Sequence, residues 1–341
     1  MKKTLYYILS VLFFIIALWG VTYTADWAGY EMSFENELER KDLAFGFIGK
    51  LLGNFGYYDY QSVFRAHVIL MGVLFPAFIL RWQKKPLIIS ALFIVLFYVP
   101  LANQIRYYVA FPLALLALQA LICDKNKFLF LFFFIIAFAF HSSILFFIIV
   151  VCFYNYILVK RKNLVVDILM VNIFMGFVFF FGLKYLIAIV GDFSVYLTAD
   201  NQVSTLAGGV YSAFPYMIAV ALVIYIHNRI KEKYPLLLTD KSYMFLFVLC
   251  TATSLLFTIS FKTQIVRHRF INPIFLIWMI YFVFVAMNVK SKYLKRLSYS
   301  SIVTVIVLIV LWQTIVPYYL GISKTIIDQD LILTLNSIQF E

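Results

Sequence analysis

Charged residues are scarce in this 341-residue sequence: they make up 13% of it, whereas soluble proteins average about 25%. Hydrophobic residues instead make up 64% and aromatic residues 20%, and the mean hydropathy is +0.95. This composition excludes a soluble globular protein and is typical of a chain that crosses a membrane many times.

Cysteines are also few, since the sequence holds three, and each lies in or beside an apolar run, so no disulfide framework is expected. The sequence contains no nucleotide-phosphate loop, metal-ligand cluster or serine-nucleophile elbow, and we expect neither a cofactor nor a metal. The net charge of +12 comes mainly from short loops between apolar runs. It therefore indicates membrane orientation and contact with anionic lipid, and no nucleic-acid partner is expected.

Long apolar runs are what the sequence does contain, and a run of about 17 to 25 apolar residues is long enough for a membrane-spanning helix. Such runs lie at residues 5–22, 63–80, 87–102, 105–122, 164–182, 210–227, 243–261, 270–288 and 299–319. A further run, residues 128–159, has 32 residues. One helix of that length would measure roughly 48 Å, so it either overshoots a bilayer core of about 30 Å or turns back at His141.

The positive-inside rule chooses between these two topologies. A hairpin at His141 puts 18 of the 28 lysines and arginines inside, whereas a single span puts 12 inside. We therefore predict an all-α integral membrane domain over residues 1–341, with about eleven spans, the N-terminus inside and the C-terminus outside. The first run is expected to be an uncleaved anchor, because its apolar core is long and no clear cleavage site follows. The predicted outer segments are residues 23–66, including an interfacial segment at 43–58, and residues 184–209 and 262–269.

Several cations lie at the predicted outer ends of spans, although the positive-inside rule favours cations on the inner side. Because orientation does not explain them, they are candidates for binding an anion. They are Arg65, Arg106, Lys184, Lys262, Arg267 and Arg269. In PLANQIRYYVAF, Arg106 follows a predicted turn at Asn103 and Gln104, and a guanidinium can bind phosphate through two parallel N–H donors. The alternative is an arginine that extends to lipid phosphates at the membrane surface.

The segment KTQIVRHRFINP gathers three of these cations, Lys262, Arg267 and Arg269, together with His268, just before the next span. Together they would form a focused positive potential that suits a diphosphate. The alternative is that they end the preceding span and contact lipid headgroups.

Two residues are candidates for a general base. Asp26 follows the first span and stands four residues before Tyr30, so a helix would put both on one face. His141 lies at the predicted outer tip of the 128–159 hairpin, where an imidazole can take up a proton near pH 7. The alternative for His141 is a purely structural role at the tip, with Ser142 or Ser143 capping the next helix.

These elements, taken in chain order, resemble the EpsG-like group of Wzy-type polysaccharide polymerases. They are Asp26 with Tyr30, the acidic loop after them, IRYYVAFPLALLAL around Arg106, AFAFHSSIL around His141, and the late RHR at 267–269. The resemblance implies a bacterial inner-membrane polymerase that joins repeat units of O-antigen, capsule or exopolysaccharide, with its site facing the periplasm. It further implies undecaprenyl-diphosphate-linked oligosaccharide as donor and acceptor, and membrane lipid and a chain-length regulator protein as partners.

Under this resemblance, a hydroxyl of one lipid-linked unit attacks the first sugar of the other, and the lipid diphosphate leaves. Arg106, Arg267 and Arg269 would stabilise the charge of the diphosphate, and His141 or Asp26 would be the base. The remaining candidates are expected to bind substrate: Tyr30, Asn103, Gln104, Tyr107, Ser142, Ser143, Lys262 and His268.

Two other functions stay open. A flippase for lipid-linked oligosaccharide requires a cationic cavity across the midplane, and the deep parts of these spans carry almost no charge. A membrane O-acyltransferase requires an inner acyl-donor site, but the inner loops contain little beyond orientation charges. The sugars, the linkage and the stereochemical outcome are not specified by the sequence.

Overall fold

The computed structural model describes residues 2–24, 26–35, 43–82, 86–159, 168, 170–174, 206–252, 254, 272–311 and 334–339. In these ranges the chain is helical, apart from connecting segments and one antiparallel bridge between Val21 and Ile338. The α-helices with defined bounds are α1 (Lys2–Trp19), α2 (Trp27–Glu35), α3 (Leu43–Gly53), α4 (Tyr60–Trp82), α5 (Pro86–Asn103), α6 (Ile105–Ile122), α7 (Lys127–Phe140), α8 (Ile144–Val159), α9 (Leu206–Lys233), α10 (Lys241–Ala252), α11 (Phe275–Asn288) and α12 (Lys292–Val310). Two short 3₁₀ helices cover Pro235–Thr239 and Asn272–Ile274.

Six of the described helices are long and apolar enough to cross a membrane: α1, α4, α5, α6, residues Ala213–Lys233 of α9, and α12. Each coincides with a predicted apolar run. The runs at 243–261 and 270–288 correspond to shorter apolar helices, Lys241–Ala252 and Asn272–Asn288. The all-α class and the multi-pass character are thus confirmed, while the count of about eleven spans and their orientation stay predictions.

The long run at 128–159 is broken at His141, which ends α7 with an extended backbone (φ −159°, ψ 112°) and donates its N–H to the Ala137 carbonyl. Helix α8 then begins at Ile144. The break divides the run into helices of 14 and 16 residues, so a single helix that overshoots the membrane is excluded.

The chain forms two compact units, one from Met1–Ile148 with Thr325–Glu341 and the other from Ile149–Lys324. In the first unit, α6 is the central helix and is buried along most of its length against α4 and α7. Alanines at 110, 114 and 117 are fully buried, and small residues of this kind let neighbouring helices approach closely. Helix α1 packs on α4 and α5, with Phe14 stacked on Phe75 at 5.5 Å between ring centroids.

In the second unit, hydrogen bonds between buried polar groups accompany the packing of α9, α10 and α11. The Tyr216 hydroxyl lies 2.5 Å from Asn272 Oδ1, and the Trp278 indole donates to the Cys250 carbonyl. His227 Nδ1 lies 2.8 Å from the Tyr243 hydroxyl. Polar side chains within apolar surroundings are thereby paired, as burial requires.

The segment 334–339 packs against the residues that follow α1. Besides the bridge from Val21 to Ile338, the Gln339 N–H donates to the Gly20 carbonyl at 2.6 Å, and the Thr22 hydroxyl donates to the Ser337 carbonyl. A Cβ at Gly20 would lie 2.7 Å from the Gln339 carbonyl oxygen. Glycine is therefore required here by the close approach of the two backbones.

Replacing Gly20 with alanine is expected to detach segment 334–339, because the obstructing atom is backbone and cannot rotate away. Hydrogen–deuterium exchange in the 334–341 peptide of the detergent-solubilised protein should speed up at least about fivefold, as expected for a lost bond worth about 1 kcal/mol. Gly29→Ala is the control, since a Cβ there meets nothing within 4 Å. Equal exchange in wild type and Gly20→Ala would show that the contact does not form.

Candidate active site

Arg106 lies in the first turn of α6, and two aromatic rings cover its guanidinium. Its central carbon is 4.5 Å from the centroid of Tyr30, on α2, and 5.3 Å from that of Phe45, on α3. Contacts of this kind attract a cation to the ring face. We call Arg106, Tyr30, Phe45, Tyr60 and His67 the Arg106 cluster, because each of the others contacts Arg106 or one of its two rings.

The aromatic sequence of α2 explains how Tyr30 reaches this place. Trp27 is buried and contacts α4 through Tyr60, at 4.6 Å edge to face, and through Phe64 at 5.3 Å. Tyr30 follows three residues later on the same side of the helix, and its ring centroid lies 6.2 Å from those of Phe45 and Tyr60. Burial of Trp27 thus fixes the helix that carries Tyr30.

Asp26 precedes α2 and is exposed, and its carbonyl accepts the Tyr30 N–H at 3.2 Å. The segment from Asp26 to Tyr30 is therefore helical. This puts the two residues on one face, as expected from their spacing of four residues. The charges of Arg106, Asp26 and Glu31 all act on Tyr60. Asp26 and the Arg106 cluster consequently share one end of the first unit.

The turn between α5 and α6 lies where the sequence predicts it, since α5 ends at Asn103 and α6 begins at Ile105. The Gln104 side chain makes no capping hydrogen bond to α6. The Asn103 and Gln104 amide oxygens are buried and accept no hydrogen bond from the described residues. The N-terminal end of a helix is a region of positive potential that suits an anion, and Arg106 adds a full charge to it.

His141 is half-buried in the turn between α7 and α8, and its ring packs edge to face on Tyr107 at 5.5 Å. Its Nδ1 lies 3.3 Å from the backbone nitrogen of Ser143 and 2.8 Å from the Ser143 hydroxyl. Because a backbone N–H can donate but cannot accept, Nδ1 bears the lone pair and the neutral ring carries its proton on Nε2. His141 thus presents a hydrogen-bond donor, and the Ser143 hydroxyl bonds to His141 Nδ1.

The structure brings most of the predicted site residues of the first unit to the Arg106 end. These are Asp26, Tyr30, Asn103, Gln104, Arg106, Tyr107, His141 and Ser143. Ser142 is exposed in the same turn as His141. The other predicted group, Lys262, Arg267, His268 and Arg269, lies outside the described residues.

Phe45, Tyr60 and His67 belong to the cluster but were not predicted from the sequence. Tyr60 and His67 stand seven residues apart and so lie on one face of α4, and this spacing was the signal available. Phe45 lies in the predicted interfacial segment 43–58, which the structure shows as helix α3 followed by a turn. Its buried contacts with Arg106 and His67 depend on tertiary packing, which helical periodicity does not reveal.

Among the described residues, no group of three or more histidine, cysteine, aspartate or glutamate side chains is arranged to hold a metal ion. The charged groups that act on Tyr60 of the Arg106 cluster include the guanidinium of Arg106 and the carboxylates of Asp26 and Glu31. This arrangement can bind an anion through Arg106 and can accept a proton at a carboxylate.

Comparison with known proteins identifies the family. No curated protein and no solved structure matches the chain. The model of the EpsG family matches residues 5–324, which include Arg106, His141 and the segment 262–269. The family resemblance inferred from the sequence is confirmed: the chain belongs to the EpsG family.

Proposed function

We propose that this protein is a polysaccharide polymerase that joins undecaprenyl-diphosphate-linked repeat units by glycosyl transfer on the outer side of the bacterial inner membrane. The EpsG family is associated with glycosyl-transferring polymerases of membranes, and the chain is a multi-pass membrane protein. The proposal adds the lipid carrier, the side of the membrane and the roles of individual residues. The glycan is an O-antigen, a capsule or an exopolysaccharide.

The observation that carries the proposal is the contact of the Arg106 guanidinium with the rings of both Tyr30 and Phe45. A guanidinium carries five N–H donors, so an arginine that contacts ring faces on one side can still bind a phosphate through two parallel N–H groups. An arginine that only reached lipid headgroups would extend along the surface. Packing against aromatic side chains of α2 and α3 favours a built anion site.

In the proposed reaction, a hydroxyl oxygen of the acceptor unit forms a bond to the anomeric carbon of the donor glycan. The bond from that carbon to the diphosphate oxygen breaks, and its electron pair leaves with the diphosphate. Arg106 stabilises the negative charge that develops there, and we expect Arg267 and Arg269 to assist it. The hydroxyl proton passes to a carboxylate or imidazole base.

The hydrogen bonds of His141 favour Asp26 as that base. Since Nδ1 accepts the Ser143 N–H, the neutral His141 ring carries its proton on Nε2, and its one lone pair is already engaged and cannot take up a further proton. We therefore propose that His141 donates a hydrogen bond to the leaving diphosphate or to a sugar oxygen. Asp26 is proposed to take the proton from the attacking hydroxyl. Tyr30 positions Arg106, while Asn103, Gln104, Tyr107, Ser142, Ser143, Lys262 and His268 are proposed substrate contacts.

Deleting the gene is expected to shorten the surface glycan to a single repeat unit, because unit synthesis and transport would continue while joining stops. The measurement is a gel of surface glycan from the deletion strain and from the strain complemented with the wild-type gene. A normal ladder in the deletion strain contradicts the proposal. Loss of all surface glycan would indicate a flippase, and an unchanged ladder with lost ester groups an acyltransferase.

Arg106→Lys is expected to fail nearly as badly as Arg106→Ala, because lysine keeps the charge but loses the two-pronged donor. A charge-assisted contact is worth about 1.5 to 3 kcal/mol, so polymerisation should slow roughly 10- to 150-fold. Ladder length is measured in each strain, with membrane abundance checked by blotting. Arg81→Lys, at an exposed position at the far end of α4, is the matched control. A full ladder from Arg106→Lys at normal abundance removes Arg106 from the diphosphate site.

His141→Gln is expected to retain much more polymerisation than His141→Ala, because the glutamine amide can place an N–H near the position of Nε2. Alanine removes a donor to a charged group and should cost roughly 10- to 150-fold in rate. Asp26→Asn should be as inactive as the deletion, since the amide cannot take up the proton. Ladder length again reports the rate. If His141 were the base, His141→Gln and His141→Ala would fail equally, and that result reverses the assignment.

A further inference from the structure

His67 is a fully buried histidine in α4 whose ring orientation is fixed by its own helix. Its Nδ1 lies 2.7 Å from the Val63 carbonyl oxygen, one turn earlier. A carbonyl oxygen can only accept, so Nδ1 carries the proton, and in the neutral ring Nε2 bears the lone pair. His67 therefore presents an acceptor, the opposite of His141.

The Nε2 atom of His67 is buried and has no hydrogen-bond partner among the described residues. Most buried polar atoms in proteins have a hydrogen-bond partner. A buried atom that has none can be explained by a ligand that supplies the missing partner. The same condition holds for the Asn103 and Gln104 amide oxygens, and Asn103 is 9% exposed. Three hydrogen-bond acceptors near Arg106 thus have no donor among the described residues, and a ligand could supply one to each.

The position of His67 connects it to the proposed site. Its ring lies 5.5 Å from Phe45, which also lies against Arg106, and 5.7 Å from Phe140, the residue before His141. The charge of Arg106 acts on His67. Phe45 thus lies in contact with both residues, and a ligand group that displaced this one ring would reach His67 from the Arg106 side.

The chemistry of these groups indicates what would bind. A diphosphate offers acceptors alone and matches the donors of Arg106 and His141. It cannot satisfy His67 Nε2, Asn103 Oδ1 or Gln104 Oε1, which need hydroxyl or amide donors. A sugar attached to the diphosphate supplies hydroxyls at a short distance from the phosphates.

We propose that His67 is a substrate-binding residue whose Nε2 accepts a hydrogen bond from a hydroxyl of the sugar next to the diphosphate, after displacement of the Phe45 ring. This rests on the proposed polymerase function and extends it to the sugar. The competing explanation is a histidine that only fills the core. In that case phenylalanine, which has a similar shape and no unpaired nitrogen, would serve as well or better.

The first test compares glycan ladders of strains carrying His67→Phe, His67→Met and His67→Gln. The two apolar variants should slow polymerisation roughly 5- to 100-fold, the effect of a missing hydrogen bond to a buried acceptor site, at normal abundance and with undiminished thermal stability. Glutamine, whose amide oxygen can accept near the same position, should stay close to wild type. A full ladder from either apolar variant overturns the proposal.

Gln119→Leu is the matched control. Gln119 is also buried, its amide oxygen also lacks a partner among the described residues, and it lies near the other end of α6 from Arg106. Its replacement should leave the ladder unchanged. Equal shortening by Gln119→Leu would mean that loss of any buried amide or imidazole disturbs this protein, which contradicts a specific role for His67.

The second test separates the sugar contact from the diphosphate site by measuring thermal stabilisation of the purified full-length protein. The probes are undecaprenyl diphosphate and the lipid-linked glycan extracted from the deletion strain. We expect wild type to be stabilised by the first and further by the second, His67→Phe to lose only the further shift, and Arg106→Ala to lose both. A further shift that persists in His67→Phe, or is absent from wild type, overturns the His67 proposal alone. No shift with either probe overturns both proposals.

Discussion

The contact of the Arg106 guanidinium with the rings of Tyr30 and Phe45 is the interaction on which the rest of the candidate site depends. A guanidinium at the end of an apolar helix bundle is costly unless other groups hold it. Here aromatic faces do so, which requires α2 and α3 to lie against α4 and α6. Trp27 supplies the apolar anchor for α2, through Tyr60 and Phe64. The high aromatic content, which is part of the evidence for a membrane protein, thus also supplies the side chains that surround Arg106.

The contact between residues 20–23 and 334–339 constrains the membrane topology. Segments that share backbone hydrogen bonds lie on the same side of a membrane. If α1 is the first span and segment 334–339 follows the last one, the number of spans must be odd. A hairpin at His141 gives about eleven spans, and a single span there gives ten. The contact is therefore the one expected if all the predicted runs cross the membrane with a hairpin at His141, and the number of spans stays a prediction.

The sequence predicted the features that depend on local chemistry. Apolar length located the spanning helices, the Asn103–Gln104 pair located the turn before Arg106, and the polar residues after Phe140 located the helix break. It failed where a residue acts through the packing of separate helices. Phe45 looked like one apolar residue of an interfacial segment, and His67 lay unremarked within a long apolar run, because only tertiary contacts bring them to Arg106.

In the two histidines near Arg106, a backbone hydrogen bond determines which ring nitrogen carries the proton, and residue type alone does not. In His141 a backbone N–H bonds to Nδ1 and makes Nε2 the donor, whereas in His67 a backbone carbonyl bonds to Nδ1 and makes Nε2 the acceptor. A glycosyl diphosphate has acceptors at one end and hydroxyl donors at the other. A site with donors at Arg106 and His141 and acceptors at His67, Asn103 and Gln104 has the same polarity. That match favours the proposed sugar diphosphate over a phosphate that carries no hydroxyl or amide donor, which would need the donors of the site alone.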